Sequence, residues 1–299
     1  MTGMVTEIER FALNDGPGIR TTVFLKGCDM NCAWCHNPET IRATKDLHYY
    51  PDKCISCYQC VTTCLCKAHK RINNVHRYFP NLCVKCGKCA QICYAGAMVM
   101  SGVQMSVEEV MHEVVQDMPY YRDSGGGVTI SGGEVLCQME FAQALTQACK
   151  QQGISVAIET NLHRPFDQIR DFLSELDLIM CDLKLFDAGQ HKKWTGVDNV
   201  QILNNFLQLD TLGVPYIVRT PMIPGATDGE ENVLAISNFL KQCKNLQYYE
   251  LLNFNPLGKA KYASLSKKNP FADVRPLPKA RMEQLKHMAE AAGIPVRIE

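Results

Sequence analysis

The sequence has no run of about 18 apolar residues, the length a transmembrane helix needs. No basic start followed by an apolar stretch opens the chain, whose first residues read MTGMVTEIERFALNDG. A secretory signal is therefore not expected, and the cytoplasm is the expected compartment. Neither charge is in excess, with 31 Lys plus Arg against 31 Asp plus Glu. There is no shortage of apolar residues: at 46% hydrophobic the chain has the composition of a globular protein, which excludes intrinsic disorder. Its most basic stretch lacks interleaved aromatic residues along a groove, so a nucleic-acid partner is not expected. The length, 299 residues, fits one large or two ordinary domains.

What the sequence has in excess is cysteine, 16 in all. A cytosolic chain does not keep disulfides, so the excess points to metal ligation or redox chemistry. Cys28, Cys32 and Cys35 form one group. Cys54, Cys57, Cys60 and Cys64 form a second, and Cys83, Cys86, Cys89 and Cys93 repeat its spacing 29 residues later. Cys66 is an extra beside the first repeat, and Cys137, Cys149, Cys181 and Cys243 stand alone, as buried small hydrophobes often do. The zero net charge hides an asymmetry. From Asp46 to Met100 seven Lys/Arg oppose two acids, so the segment carries +5 and the remainder −5. Two readings stand: the cations offset thiolate-bound clusters, or they form a docking face for an acidic electron donor.

Six β-rich runs alternate with helical patterns: Arg20–Lys26, Gly127–Ser131, Ile154–Glu159, Leu178–Leu183, Val214–Thr220 and Gln247–Asn253. Helices are expected at Val107–Met118, behind a Ser106/Glu109 capping box, and around Phe141–Cys149 before Gly153. Three more are expected at Asn199–Leu212, Glu231–Lys241 and Lys279–Ala292. Repeated strand–helix units imply a parallel sheet, closed in part as a (β/α)6 barrel or open and doubly wound. The cysteine-rich block interrupts this pattern as an inserted small domain. The expected division is 1–45 with 106–299, and 46–105. Parallel α/β folds place their chemistry at the C-terminal strand ends. There lie GCDMNCAWCHN (27–37), SGGE (131–134), ETN (159–161), DLK (182–184), Arg219 with Thr220, and NFNPLGK (253–259).

The C-x3-C-x2-C loop offers three soft thiolates, which on a 4Fe–4S cluster leave one iron open to chelate a small molecule. A Cys3His zinc site using His36 is the alternative, but adjacent Cys35 and His36 fit poorly on two corners of one tetrahedron. The repeats match the bacterial ferredoxin run C-x2-C-x2-C-x3-C, whose fourth cysteine serves the other cluster. That crossing predicts one cluster on Cys54, Cys57, Cys60 and Cys93, and another on Cys83, Cys86, Cys89 and Cys64. Cys66 competes with Cys64, and Leu65 and Tyr94 stand where proline usually follows. Zinc ribbons are the alternative, but zinc sites usually take ligands in separated pairs. The histidines outside these groups show no ligand spacing. The glycines of SGGE let a ligand approach the backbone, and Glu134 can accept from an ammonium.

CDMNCAWC, with Trp34 before its last cysteine, resembles the signature of the radical S-adenosylmethionine (SAM) superfamily. NDGPGIRTTVFLKGC (14–28), WCHNPE (34–39), GGGVTISGGE (125–134), ETN, DLK and LGK resemble the activating enzymes of glycyl radical enzymes, in the branch with a two-cluster ferredoxin-like insertion. The resemblance implies an α/β partial (β/α)6 barrel of radical SAM type with an inserted ferredoxin-like domain. It implies three 4Fe–4S clusters, one binding SAM and two auxiliary. For SAM it implies Trp34, Cys35, His36, Gly132, Gly133, Glu134, Asp182, Lys184 and Asn255, with Glu134 on the amino group and Lys184 on the carboxylate. Asn255 stands where relatives often carry histidine, and Val135 where they carry proline. Glu159, Thr160 and Asp182 resemble a monovalent-cation site found in some members. Asp15 and Arg20 are implied near the partner's glycine loop, although local turn chemistry also explains them. The implied reaction is reductive cleavage of SAM and hydrogen abstraction from a backbone glycine of a partner glycyl radical enzyme. A flavodoxin or ferredoxin is the implied electron donor. A radical enzyme acting on a small molecule would turn over without a protein partner. A pure electron carrier would leave the SGGE, ETN and DLK strand ends unexplained.

Overall fold

The computed structural model describes residues 1–299. One nine-stranded sheet organises most of the chain. Its parallel members are β2 (Arg20–Leu25), β8 (Gly127–Gly132), β9 (Ser155–Thr160), β10 (Leu178–Asp182), β11 (Tyr216–Met222), β12 (Leu246–Asn253) and β13 (Val296–Ile298), paired in that order. The six sequence-predicted strands are β2 and β8 to β12. Beyond β2, β1 (Thr2–Ala12) and then β7 (Val103–Ser106) pair antiparallel. The outer strands β7 and β13 do not pair, so the sheet stays open.

The central parallel strands, β2 and β8 to β11, are legible because both of their faces are buried, which demands continuous apolar runs. Val128, Ile130, Val156, Ile158, Ile179, Cys181 and Val218 are fully enclosed. Helices Met139–Gln151, Phe166–Ser174, Val200–Leu209, Glu230–Leu240 and Lys279–Glu290 connect the strands and turn apolar stripes inward. The Ser106/Glu109 capping box forms at the start of the helix Val107–Val114, with Glu109 N–H donating to Ser106 Oγ at 3.2 Å and Ser106 N–H to Glu109 Oε2 at 2.7 Å. No helix is long and apolar enough to cross a membrane.

Between β2 and β7 the cysteine repeats build a separate layer. Strand β3 (Asp46–Tyr49) pairs antiparallel with β6 (Met98–Ser101), and β4 (His69–Ile72) with β5 (Val75–Tyr78). The expected domain boundary at 105/106 falls within β7, which already belongs to the large sheet. Lys26, just after β2, is completely buried and bonds Asp46 Oδ2 at 3.3 Å across the seam, while Lys85 bonds Asp46 Oδ1 at 2.7 Å.

Candidate functional site

A cavity of about 280 Å³ opens at the C-terminal ends of β2 and β8 to β12. Thr220 and Lys259, from the same strand ends, do not border it, but the residues implied for the Cys28/Cys32/Cys35 cluster, SAM and the cation all line it: Cys28, Cys32 and Cys35; Trp34 and His36; Gly132, Gly133 and Glu134; Glu159 and Thr160; Asp182, Lys184 and Asn255. Parallel topology brings them together, because every loop leaving a strand C-terminus emerges on one side.

The cysteine loop is fixed by its backbone. Gly27 and Cys28 donate to the carbonyls of Thr40 and Ile41 at 2.7 and 3.0 Å, and Asn31 and Ala33 to those of Thr195 and Trp194 at 2.8 and 2.9 Å. Met30 N–H donates to Cys28 Sγ at 3.4 Å. Burial of the sulfurs raises the pKa of Cys28 and Cys32 and pushes Cys35 up to about 12, so ionised thiolates here need a metal's positive charge. A single zinc ion would need a fourth protein ligand beside Cys28, Cys32 and Cys35 to close a structural site. His36 Nε2 bonds the Asn255 carbonyl instead of facing the thiols. The donor set fits a cluster better than one ion.

Glu134 is buried and its carboxylate is held by three donors. Thr160 Oγ1 and the Leu136 N–H reach Oε1 at 2.7 and 3.0 Å, and the Asn161 N–H reaches Oε2 at 2.7 Å. Burial outweighs these bonds and raises its pKa to about 7. The SGGE glycines answer to a constraint other than the one the sequence pointed to. A Cβ on Gly132 would lie 2.2 Å from the backbone N and O of Leu25, and one on Gly133 2.4 Å from the Gly27 carbonyl oxygen. Close packing of the loop on the end of β2 already requires both glycines.

Lys184 Nζ lies 2.5 Å from Asp182 Oδ2. Burial works against its charge, but Asp182 outweighs it, so Lys184 stays firmly protonated. The three suggested cation ligands are each engaged elsewhere: Glu159 by Ser131 Oγ and Arg219, Thr160 by Glu134, and Asp182 by Lys184. Arg219 also bonds Glu250 Oε2 at 2.8 Å and the Asn14 carbonyl at 2.9 Å, tying the DGPGIR loop to the site. Arg20 does not reach the cavity. It is buried and donates to Thr129 Oγ1 at 2.7 Å and the Val128 carbonyl at 2.6 Å, a structural role at the opposite end of the strands. Asp15 accepts from Thr22 Oγ1 at 2.5 Å. Asn255 borders the cavity, and its Oδ1 caps the turn Pro256–Gly258 through the Leu257 N–H at 3.0 Å. Trp34 packs with Trp194 and Phe271, with ring centroids 6.3 and 6.2 Å away. Of the isolated cysteines, Cys149 and Cys181 are buried, whereas Cys137 and Cys243 are partly exposed and Cys137 accepts from Arg164 at 3.2 Å.

In the inserted layer, Cys54, Cys57, Cys60 and Cys93 line one small apolar cavity, with Cys89 also on its wall. The Cys60 thiol is raised to about 11 by burial and then by Cys54, Cys57 and, further down, Cys93. Cys89 is raised to about 12 by burial and then by Cys83, with Cys60 and Cys64 also close. Ala68 N–H donates to Cys64 Sγ and Lys85 N–H to Cys83 Sγ, both at 3.3 Å. Cys66 Sγ lies 3.5 Å from Cys64 Sγ. Sequence spacing gave no role to His69 and His76, which the β4–β5 hairpin buries against Cys60. It also gave no partners to Asn161 and Asp29, joined at 2.9 Å on the cavity rim.

A family described as "4Fe-4S single cluster domain" matches residues 14–203. The benzylsuccinate synthase activating enzyme of Thauera aromatica is 37% identical over 99% of this chain and 92% of its own length. The trans-4-hydroxy-L-proline dehydratase activating enzyme of Clostridioides difficile is 38% identical over 100% of this chain and 99% of its own. The chain belongs to the activating enzymes of glycyl radical enzymes. A radical SAM methyltransferase from Sphaerobacter thermophilus shares the fold of this activating enzyme, with a TM-score of 0.56 at 12% identity over 99% of this chain and 76% of that one.

Proposed function

We propose that this activating enzyme places a glycyl radical in a partner enzyme, using SAM held at the Cys28/Cys32/Cys35 site. The observation that carries the reading is the single cavity in which three thiols meet a buried carboxylate and the Asp182–Lys184 pair. Cys28, Cys32 and Cys35 would hold a 4Fe–4S cluster with one iron left open. Glu134 would accept from the SAM ammonium, with Gly132 and Gly133 offering backbone beside it. Lys184 would meet the SAM carboxylate. Trp34, His36 and Asn255 would border the nucleoside. When bound, cluster and SAM supply the radical chemistry: one electron cleaves SAM reductively, and a hydrogen is then taken from a backbone glycine of the partner. The chain's own work is to bind, orient and shield from water.

The inserted layer is read as a ferredoxin-like domain with two auxiliary 4Fe–4S clusters. One would rest on Cys54, Cys57, Cys60 and Cys93, and the other on Cys83, Cys86, Cys89 and Cys64. The cavity shared by Cys54, Cys57, Cys60 and Cys93, which Cys89 also borders, supports the crossing for the first set. These clusters would pass electrons from a flavodoxin or ferredoxin, for which the basic segment offers complementary charge. A monovalent cation at Glu159, Thr160 and Asp182 would have to displace Arg219 and Lys184 from those acids. Potassium dependence of SAM binding tests that part.

The deciding experiment is anaerobic. The protein is reconstituted with iron and sulfide, reduced and given SAM, while 5′-deoxyadenosine and iron per chain are measured. Deoxyadenosine with about twelve irons, three clusters of four, is expected. A glycyl radical signal should appear on adding a matching partner. Iron without deoxyadenosine would refute the reading.

A further inference from the structure

The 29-residue repeat extends beyond the cysteines. Tyr49 and Tyr78 precede Cys54 and Cys83 by the same five positions, and β3 pairs with β6 as β5 pairs with β4. The registers obey the same two-fold relation: Tyr49 opposes Met98, and Tyr78 opposes His69. The two halves thus superpose as equivalents, and a difference between matched positions is a difference between the two cluster environments. At one matched pair the first half has Leu47 and the second has His76. At another the first half has His69 and the second has Met98.

These exchanges put all the polarity beside one set of cysteines. His76 Nε2 lies 3.4 Å from Cys60 Sγ, and its Nδ1 lies 4.0 Å from Cys54 Sγ. His69 Nδ1 lies 3.1 Å from His76 Nε2, and both rings are buried. The Tyr49 ring packs edge-on against His76 at 4.8 Å. The matched positions, Leu47 and Met98, are buried and form an apolar cluster with Cys89, and Met98 also borders the cavity of Cys54, Cys57, Cys60 and Cys93.

A thiolate only accepts hydrogen bonds. If His76 carries its hydrogen on Nε2, that N–H lies between Cys60 Sγ at 3.4 Å and His69 Nδ1 at 3.1 Å. If Nε2 instead accepts from His69, the hydrogen sits on Nδ1 and faces Cys54 Sγ at 4.0 Å. In both tautomers the ring N–H has a sulfur of the same cysteine set within reach. Hydrogen bonds to cluster sulfurs favour the more negative, reduced cluster and raise its potential.

We propose that His76, oriented by His69, is a positioning residue whose ring N–H makes the Cys54/Cys57/Cys60/Cys93 cluster the more easily reduced of the two auxiliary clusters. This rests on the two-cluster reading above. The step it governs is the gain of one electron by that cluster, supplied by an external reductant such as dithionite.

The test is a mediated redox titration of the reconstituted full-length protein, followed by electron paramagnetic resonance with iron counted in every sample. The SAM-responsive signal identifies the other cluster and is set aside. His76→Leu should keep about twelve irons. Its more positive auxiliary midpoint should fall by up to tenfold in the reduced-to-oxidised ratio, about 59 mV for one electron. His76→Gln, which retains an N–H donor, should restore much of the shift, and Leu47→His should raise the more negative midpoint. Unmoved midpoints at full iron content would overturn the proposal. So would the loss of about four irons from His76→Leu alone, which would make His76 a ligand. A wild-type count of about four irons would instead remove the two-cluster reading itself, and the inference with it.

Discussion

Thr160 Oγ1 donates to Glu134 Oε1 at 2.7 Å, so the end of β9 holds the acid that follows β8. This bond and the two backbone donors aim the Glu134 carboxylate, while burial keeps its pKa near 7. The two consequences of pH have opposite signs. A raised folded-state pKa contributes stability to the empty protein that is whole at acid pH and is lost as pH rises through about 7. SAM binding runs the other way, because an ammonium prefers the ionised carboxylate. Affinity for SAM in the reconstituted protein should rise from pH 6 to pH 8, by up to about tenfold per unit below the pKa. Glu134→Gln should flatten that profile and weaken binding by about 1.5–3 kcal/mol, the worth of a charged hydrogen bond. Calorimetric titration at the two pH values reads both effects, and a profile that persists in Glu134→Gln would assign it to another group.

Gly133→Ala tests whether the glycines serve packing. The added methyl would press to 2.4 Å from the Gly27 carbonyl, one residue before Cys28. The loop or the end of β2 must move, at a cost of about 1–3 kcal/mol. Thermal unfolding should shift down before any cluster is loaded. A variant with unchanged melting and weakened SAM binding would return the glycine to a purely ligand-facing role.

The contrast between what was readable and what was not has a physical basis. Strands β8 to β11 announce themselves because burial on both faces forces apolar, β-branched runs such as Val128–Ile130. Strand β1 exposes Glu7 and Glu9 on one face, with Arg10 beside them in sequence, and pairs antiparallel near the sheet edge, so its sequence reads as a polar segment. The helix Ala188–Thr195 has little apolar periodicity and is started by Asp187, whose side chain accepts from Gln190 N–H at 2.7 Å. Within the site, which residues assemble was legible, since parallel strands deliver their ends to one side. Which residues pair was not. Glu159 with Arg219, and Glu134 with Thr160, depend on cross-strand register and side-chain reach, which spacing along the chain does not encode.

Asp46 joins the two parts of the molecule. Burial pushes its carboxyl up, but Lys85 and Lys26 outweigh that and hold it below the ordinary value. Its contribution to stability is therefore present at neutral pH and is lost as pH falls through the acid range. Asp46→Asn leaves Lys26, itself fully buried, without a charged partner. Breaking a buried pair in this way costs about 3–5 kcal/mol. Urea unfolding at pH 7 should show that loss, with the difference from wild type shrinking on acidification. A difference that does not change with pH would mean the pair is not the cause.

Cys64 and Cys66 compete for one place, and the repeat decides between them. Cys64 matches Cys93, which lines the cavity with Cys54, Cys57 and Cys60. Cys64 also lies close to Cys89 and receives the Ala68 N–H at 3.3 Å, the kind of donor that steadies a ligating thiolate. Cys66 matches Ala95, a position that needs no thiol. Cys64→Ser should therefore cost about four irons per chain on anaerobic reconstitution, and Cys66→Ser almost none. Because the first site lies in the large sheet, Cys64→Ser should still cleave SAM when a strong artificial reductant replaces the native donor. Equal iron loss in the two variants would mean that both sulfurs take part. Loss in Cys66→Ser alone would break the two-fold relation on which the assignment stands.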